Sequence, residues 1–384
     1  MTEGRAAWPW GFEGASPSNV VILSGAGISV DGPTNGPLGA ALARAALDRA
    51  FLPGTLLEVQ GAYAVLGMRE SRVPRLEAIL EIAVSVHGTS VLSQLLEELV
   101  KAEPNALHHF FGQHVALGGQ HVTANFDTLI ERAVPGTRVL HFHGSLSHDG
   151  KGCDSLGATL SRVERGFNND VRERLMEAFT GTPRRRLLVV GYSGSDYFDM
   201  DPFVEQAASA FADALVQVIW VEHDNAAPNG TFEISEDLEG APKMLRMLAD
   251  AGIEWLRLRG NTASALTVFA QMWGLDPVIP EPRRTQGHDV AEVGDWSTRA
   301  LATHRLFRTM SCSRESLGSV SGSMSRRLQK QHGREVSTHM LWLIGADCTE
   351  VLTPRRAQCC GNAPLRAYGT GALTCGRIGT HRRQ

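Results

Sequence analysis

Cysteine is nearly absent from most of this chain. Of its six cysteines, Cys312, Cys348, Cys359, Cys360 and Cys375 lie beyond residue 310, leaving Cys153 alone before it. That excludes a disulfide framework for the main body. It also excludes a four-cysteine zinc ribbon there, which needs two closely spaced pairs. Long apolar runs are missing too, and none approaches a membrane span of about 18 residues. The first 19 residues hold acids, Trp8, Trp10 and glycines where a secretory signal would place a basic stretch and an apolar core. Charge of one sign is not in large excess: a net −4 over 384 residues calls for neither nucleic acid nor an anionic membrane as partner. The composition, 43% hydrophobic and 20% charged, is that of an ordinary globular protein, with the cytoplasm as the expected compartment.

What is present is an alternation of short apolar runs with helical patterns. Residues 19–23 (Asn-Val-Val-Ile-Leu) read as a buried strand running into a glycine turn. Residues 38–116 then show helical spacing, with Leu76, Ile79, Leu80 and Ala83 on one face and Leu92, Leu95, Leu96 and Leu99 on another. Pro104-Asn105 opens a further helix. Strands are expected at residues 120–123, 139–142, 187–190, 216–221 and 253–258. One helix is expected from Leu160 to Phe179 and another around Leu266, Phe269, Ala270 and Trp273. Strands alternating with helices predict an α/β fold: a doubly wound, Rossmann-like parallel sheet with a helical insert after its first strand.

The organisation changes after Asp276-Pro277. Residues 276–310 read as a linker and the start of a helical module. From Ser311 onward 11 Lys/Arg stand against 4 Asp/Glu, so the tail carries +7 and the first 310 residues −11. Rich in Ser, Gly, Thr and Arg, the tail is expected to be poorly ordered or atypical, as a truncated or frameshifted end would be.

Chemistry gathers at the strand ends. After the first strand comes Gly25-Ala26-Gly27-Ile28-Ser29, a turn that brings backbone N–H groups together where a phosphate could bind. It is not the dehydrogenase fingerprint, whose third glycine would fall at Val30, and no P-loop lysine follows. The next strands end in Thr123-Ala124-Asn125-Phe126-Asp127, His141-Phe142-His143-Gly144-Ser145 and Gly191-Tyr192-Ser193-Gly194-Ser195-Asp196. In an open parallel sheet the ligand crevice lies at these carboxyl ends.

In this order, and after a helical insert, these motifs resemble the sirtuin (SIR2-like) family, which reads GAGxS, TxNxD, HG and a glycine–serine turn. The resemblance covers residues 15–275, with 1–14 as an extension. Two departures stand out: residues 30–37 lack the GIPDFR segment of sirtuin deacylases, and the stretch after His143-Gly144 lacks their zinc ribbon. Both losses resemble the zinc-free bacterial SIR2-like domains that hydrolyse NAD in antiphage defence, often joined to a sensor module.

The resemblance implies NAD as substrate, no zinc, and cleavage of the nicotinamide–ribose bond to nicotinamide and ADP-ribose. It also allows a homo-oligomer or a fused sensor. Alternatives are a protein deacylase or an inactive NAD or ADP-ribose sensor. The implied catalytic residues are His143 as general base, Asn125 holding the attacking water or the ribose, and Asp127 accepting from the carboxamide. Gly25, Ala26, Gly27, Ser29, Thr123, Gly191, Ser193 and Asp196 are the implied NAD-binding residues. Other readings are open: Asn125 and Asp127 as Asx-turn formers, Ser193 and Asp196 as helix caps, His141 as packing, and His108 and His109 as helix residues without a ligand. Glu222 and His223 fall where an adenosine-ribose contact would lie.

Overall fold

The computed structural model describes residues 15–282, except 52–53, 66–72, 148, 150, 195–198, 225–226, 228–230 and 236. The expectations for residues 1–14, for most of the linker and for the tail from 311 lie outside the described residues.

The first strand is β1 (Val20–Ser24), entirely buried, as its β-branched run requires. The insert follows as α1 (Gly39–Ala50), α2 (Thr55–Val65), α3 (Leu76–His87), α4 (Leu92–Leu95), α5 (Glu97–Lys101) and α6 (Ala106–Ala116). Then come β2 (Gln120–Thr123), α7 (Leu129–Ala133), β3 (Leu140–His141), α8 (Leu160–Val163), α9 (Asn169–Thr180) and β4 (Arg185–Val190). The chain continues through α10 (Met200–Ala214), β5 (Leu215–His223), β6 (Phe232–Ser235), α11 (Lys243–Asp250), β7 (Glu254–Gly260) and α12 (Thr262–Met272).

The strands form one sheet in the order β3-β2-β1-β4-β5-β7-β6. All neighbours are parallel except β6, which pairs antiparallel with β7 at the edge. The sheet is the doubly wound parallel one expected, with this edge strand in addition. The residues of β6 are half-exposed or exposed, so no buried apolar run marks it.

Side chains alternate across the strands and bury both faces. Val21, Leu23, Leu187, Val189, Val218 and Trp220 pack under α9, α10 and α11. Val20, Ile22, Leu188, Val190, Ile219 and Val221 pack under α6 and α12. The insert forms a layer of its own, with α1 against α3 and α3 against α8. Leu80 and Leu95 are buried there, whereas Leu76 and Leu99 are only half-buried.

Two helices differ from expectation. The Leu92–Leu99 face is split at Leu96, whose φ of −105° and ψ of 27° interrupt the helix between α4 and α5. The helix expected from Leu160 to Phe179 is two, α8 and α9. Gly166 between them has φ +69°, a left-handed conformation that ends a helix, and the Asn168 side chain caps the second by accepting from the Val171 N–H. The break leaves Phe167 outside both helices, where it reaches the site.

Candidate functional site

The sheet register brings four strand ends into one row: His141 pairs with Thr123, Thr123 with Ser24, and Ser24 with Val190. Strand order reverses at β1, with β2 and β3 on one side and β4 on the other, so this row is the topological switch point where crevices form. The residues just beyond it are Gly25, Asn125, His143 and Gly191. The structure therefore brings the four motifs to one rim.

The glycine turns after β1 and β4 interlock. The Gly25 N–H donates to the Val190 carbonyl at 3.3 Å and the Gly27 N–H to the Gly191 carbonyl at 2.9 Å. A Cβ on Gly25 would stand 2.8 Å from the Gly191 oxygen, and Gly191 itself has φ +63°. The Ile28 N–H closes back on the Gly25 carbonyl at 3.2 Å. Three N–H groups of the turn are therefore engaged within the protein, and the helix that follows is a single 3-10 turn, Ala26–Ser29. Backbone approach between the two turns is what the glycines of this motif permit.

Beneath the turn lies a buried polar ladder. The His121 Nε2 stands 2.8 Å from Ser24 Oγ, Ser24 Oγ donates to Thr123 Oγ1 at 2.9 Å, and Thr123 Oγ1 accepts from the Asn125 N–H at 3.1 Å. Thr123 is fully buried, so it positions Asn125 and does not face the crevice. Asn125 Nδ2 donates to Ser29 Oγ at 3.5 Å, and Ser29 Oγ is 3.2 Å from His108 Nε2. The Asn105 N–H donates to His108 Nδ1 at 3.1 Å, so the His108 proton sits on Nε2 and points at Ser29. Asn105 caps α6, and its Nδ2 donates to the Ile28 carbonyl at 2.9 Å. Burial pushes His108 down to about 3 and holds His121 well below its ordinary range, so both are neutral donors. His108, a helix residue, ties the cap of α6 to Ser29.

Asp127 is buried, and its Oδ1 accepts from the Leu129 N–H at 3.1 Å, fixing the start of α7. Burial raises its pKa, against the opposing pull of that hydrogen bond and of His141. His141 Nδ1 donates to the Asn125 carbonyl at 2.9 Å while its Nε2 faces Glu131 Oε1 at 3.0 Å. Burial opposes the charge on His141, but the Glu131 hydrogen bond and charge outweigh it and raise the pKa. This residue braces Asn125 from behind.

His143 stands on a turn held by two bonds: the Gly144 N–H donates to the His141 carbonyl at 3.1 Å and the Gly157 N–H to the His143 carbonyl at 2.6 Å. Its ring packs on Phe142 at 4.5 Å, with Phe167 at 6.2 Å and Phe126 at 6.3 Å. Its Nδ1 lies 3.4 Å from Asp199 Oδ2. Asp199 is absent from the sequence motifs. The signal available in sequence was its place just before the apolar pattern of α10, where Asp favours the cap.

Ser193 is exposed on the β4 turn, and Asp196 lies outside the described residues. Glu222 and His223, where an adenosine-ribose contact is expected, both have partners within the protein. Glu222 pairs with Arg257 at 2.8 Å and Arg259 at 3.4 Å, and His223 Nδ1 is 3.1 Å from Thr262 Oγ1. Among the described residues, no group of three or more His, Cys, Asp or Glu is arranged to hold a metal ion. Nor, among them, is any helix long and apolar enough to cross a membrane.

No protein-family model matches the chain, and no curated protein matches it. Solved structures similar to it include a SIR2 homologue in complex with NAD, at 18% identity over 61% of this chain and 89% of that one, with a TM-score of 0.34. Another is a Sir2 homologue mutant with ADP-ribose, at 18% identity over 60% and 92%, with a TM-score of 0.33. A third is a Sir2 homologue mutant with 2′-O-acetyl ADP-ribose, at 17% identity over 66% and 90%, with a TM-score of 0.35. These are members of the family whose motifs the sequence resembles. At this likeness residue roles do not transfer.

Proposed function

We propose that this chain is a SIR2-like NAD glycohydrolase, which binds NAD at the carboxyl ends of β1 to β4 and cleaves the bond between nicotinamide and ribose. One observation carries the reading: the row His141–Thr123–Ser24–Val190 delivers Asn125, His143 and two interlocked glycine turns to a single switch point. The groups there are mostly neutral hydrogen-bonding side chains around one largely shielded imidazole. That set suits a reaction in which a cationic glycoside loses a neutral leaving group.

In this reading nicotinamide departs with the electrons of the glycosidic bond, and a water oxygen bonds to the ribose carbon. The water proton passes to the His143 imidazole as general base. Asn125, fixed through its N–H by Thr123, its carbonyl by His141 and its amide by Ser29, holds the water or the ribose hydroxyls. In the same reading Asp127, its carboxyl buried and fixed by the Leu129 N–H, accepts from the carboxamide. The aromatic rings around His143 limit bulk water, which strengthens these interactions. Gly25, Ala26, Gly27, Ser29, Gly191 and Ser193 are the dinucleotide-binding residues of this reading, with Thr123 acting from beneath. A cytoplasmic, defence- or toxin-like role belongs to the same proposal.

The test is incubation of the pure protein with NAD alone and with NAD plus an acetylated peptide, with nicotinamide and ADP-ribose measured. Release in both, without dependence on peptide, supports the hydrolase. Release only with peptide, together with O-acetyl ADP-ribose, would make it a deacylase. NAD binding without release would make it a sensor.

A further inference from the structure

Asp199 caps α10, and its Oδ1 accepts from the Met200 N–H at 2.6 Å. Its carbonyl accepts from the Phe203 N–H at 3.0 Å, and the residue is 4% exposed. The helix behind it is locked into the core by Met200, Phe203, Val204, Ala207 and Phe211, so the carboxylate cannot drift. Its second oxygen, Oδ2, is the one that lies 3.4 Å from His143 Nδ1. The same helix shapes the imidazole's surroundings, because Phe203 packs edge-on against Phe167 at 5.8 Å and Phe167 flanks the His143 ring.

A helix cap needs one acceptor oxygen, and Asn serves as well as Asp in that role. Capping does not require a negative charge beside an imidazole in an aromatic-lined, largely dry site. Placing one there costs desolvation energy that a partner must offset. A separation of 3.4 Å is long for a hydrogen bond, but such contacts in ligand-free sites tighten when substrate arrives.

We propose that Asp199 is the positioning residue for His143, holding the proton on Nδ1 so that Nε2 presents its lone pair to the reacting water. This rests on the reading of His143 as general base. During turnover the water proton goes to Nε2, the Nδ1 proton stays on the ring, and Asp199 remains a carboxylate that stabilises the imidazolium.

Asp199→Asn separates the two roles, since it preserves the cap and removes the charge. The measurement pairs 15N NMR titration of His143 in wild type and Asp199→Asn with the pH profile of nicotinamide release. In the variant the imidazole midpoint is expected to fall by roughly one unit. The Nδ1–H tautomer should lose population. Turnover is expected to drop on the order of 10- to 100-fold in kcat, with KM and melting temperature unchanged. A His143 that titrates alike in both proteins with the same tautomer would overturn the proposal, as would unchanged kcat. If the wild type releases no nicotinamide, the proposed function fails on that ground, and the NMR comparison still decides whether Asp199 governs the imidazole.

Discussion

Gly27 and Gly191 meet backbone to backbone across the switch point. The Gly27 N–H donates to the Gly191 carbonyl at 2.9 Å, and a Cβ on Gly27 would stand 2.7 Å from the Gly191 Cα. Neither turn can move aside without disturbing the strand it follows. Gly27→Ala is therefore expected to destabilise the protein by about 1–3 kcal/mol, as over-packing does in well-filled interiors. Gly191→Ala adds left-handed strain of about 1–2 kcal/mol at a φ of +63°. Urea unfolding of each variant checks this; a loss under a few tenths of a kcal/mol would mean the turns are not tightly coupled.

The buried histidines make stability depend on pH. Burial depresses His108 and His114 to about 3, and His121 well below its ordinary range. Each is neutral when folded and takes up a proton on unfolding below an unfolded-state pKa of about 6.5. Stability is thus full above that pH and is lost as pH falls from about 6.5 toward the folded values, with a slope of up to about 1.4 kcal/mol per unit for each histidine. Urea midpoints between pH 7 and 4.5 should fall steadily, and His108→Gln should reduce the slope. A flat profile would contradict the burial of these rings in neutral form.

Much of this was legible in sequence, for physical reasons. Strands buried on both faces need uninterrupted apolar runs, so β1 and β4 stood out. The Asn105 cap was legible because Pro104-Asn105 precedes an apolar helical pattern. What escaped depends on contacts between distant segments. β6 escaped because an exposed edge strand needs no apolar run. Asp199 reaches His143 only because the fold brings the start of α10 to the turn after β3, and no local pattern encodes that. Phe167 joined the site because Gly166 breaks a helix whose apolar spacing continues across the break. Thr123 lies in the motif but under the site, since the register with Ser24 turns it inward.

Zinc provides an independent check. The insert is packed by residues such as Ile79, Leu80, Leu92 and Leu95, all buried, and Cys153 is a buried free thiol. Structural zinc contributes folding energy directly where it is present. Elemental analysis of the purified protein is expected to find no stoichiometric zinc, and a chelator should leave the melting temperature where it was. One zinc per chain would return the balance to a deacylase.

The account turns on whether His143 and Asn125 act together on NAD at the rim. Both sit on turns past strand ends, so His143→Ala and Asn125→Ala remove chemistry and leave the sheet core intact. The most direct measurement is the initial rate of nicotinamide release from NAD, with no peptide present, by wild type and the two variants. Circular dichroism confirms that each variant is folded. Turnover by the wild type and a loss of about 100-fold or more in each variant is the expected result. A folded His143→Ala or Asn125→Ala protein that keeps the wild-type rate would contradict it.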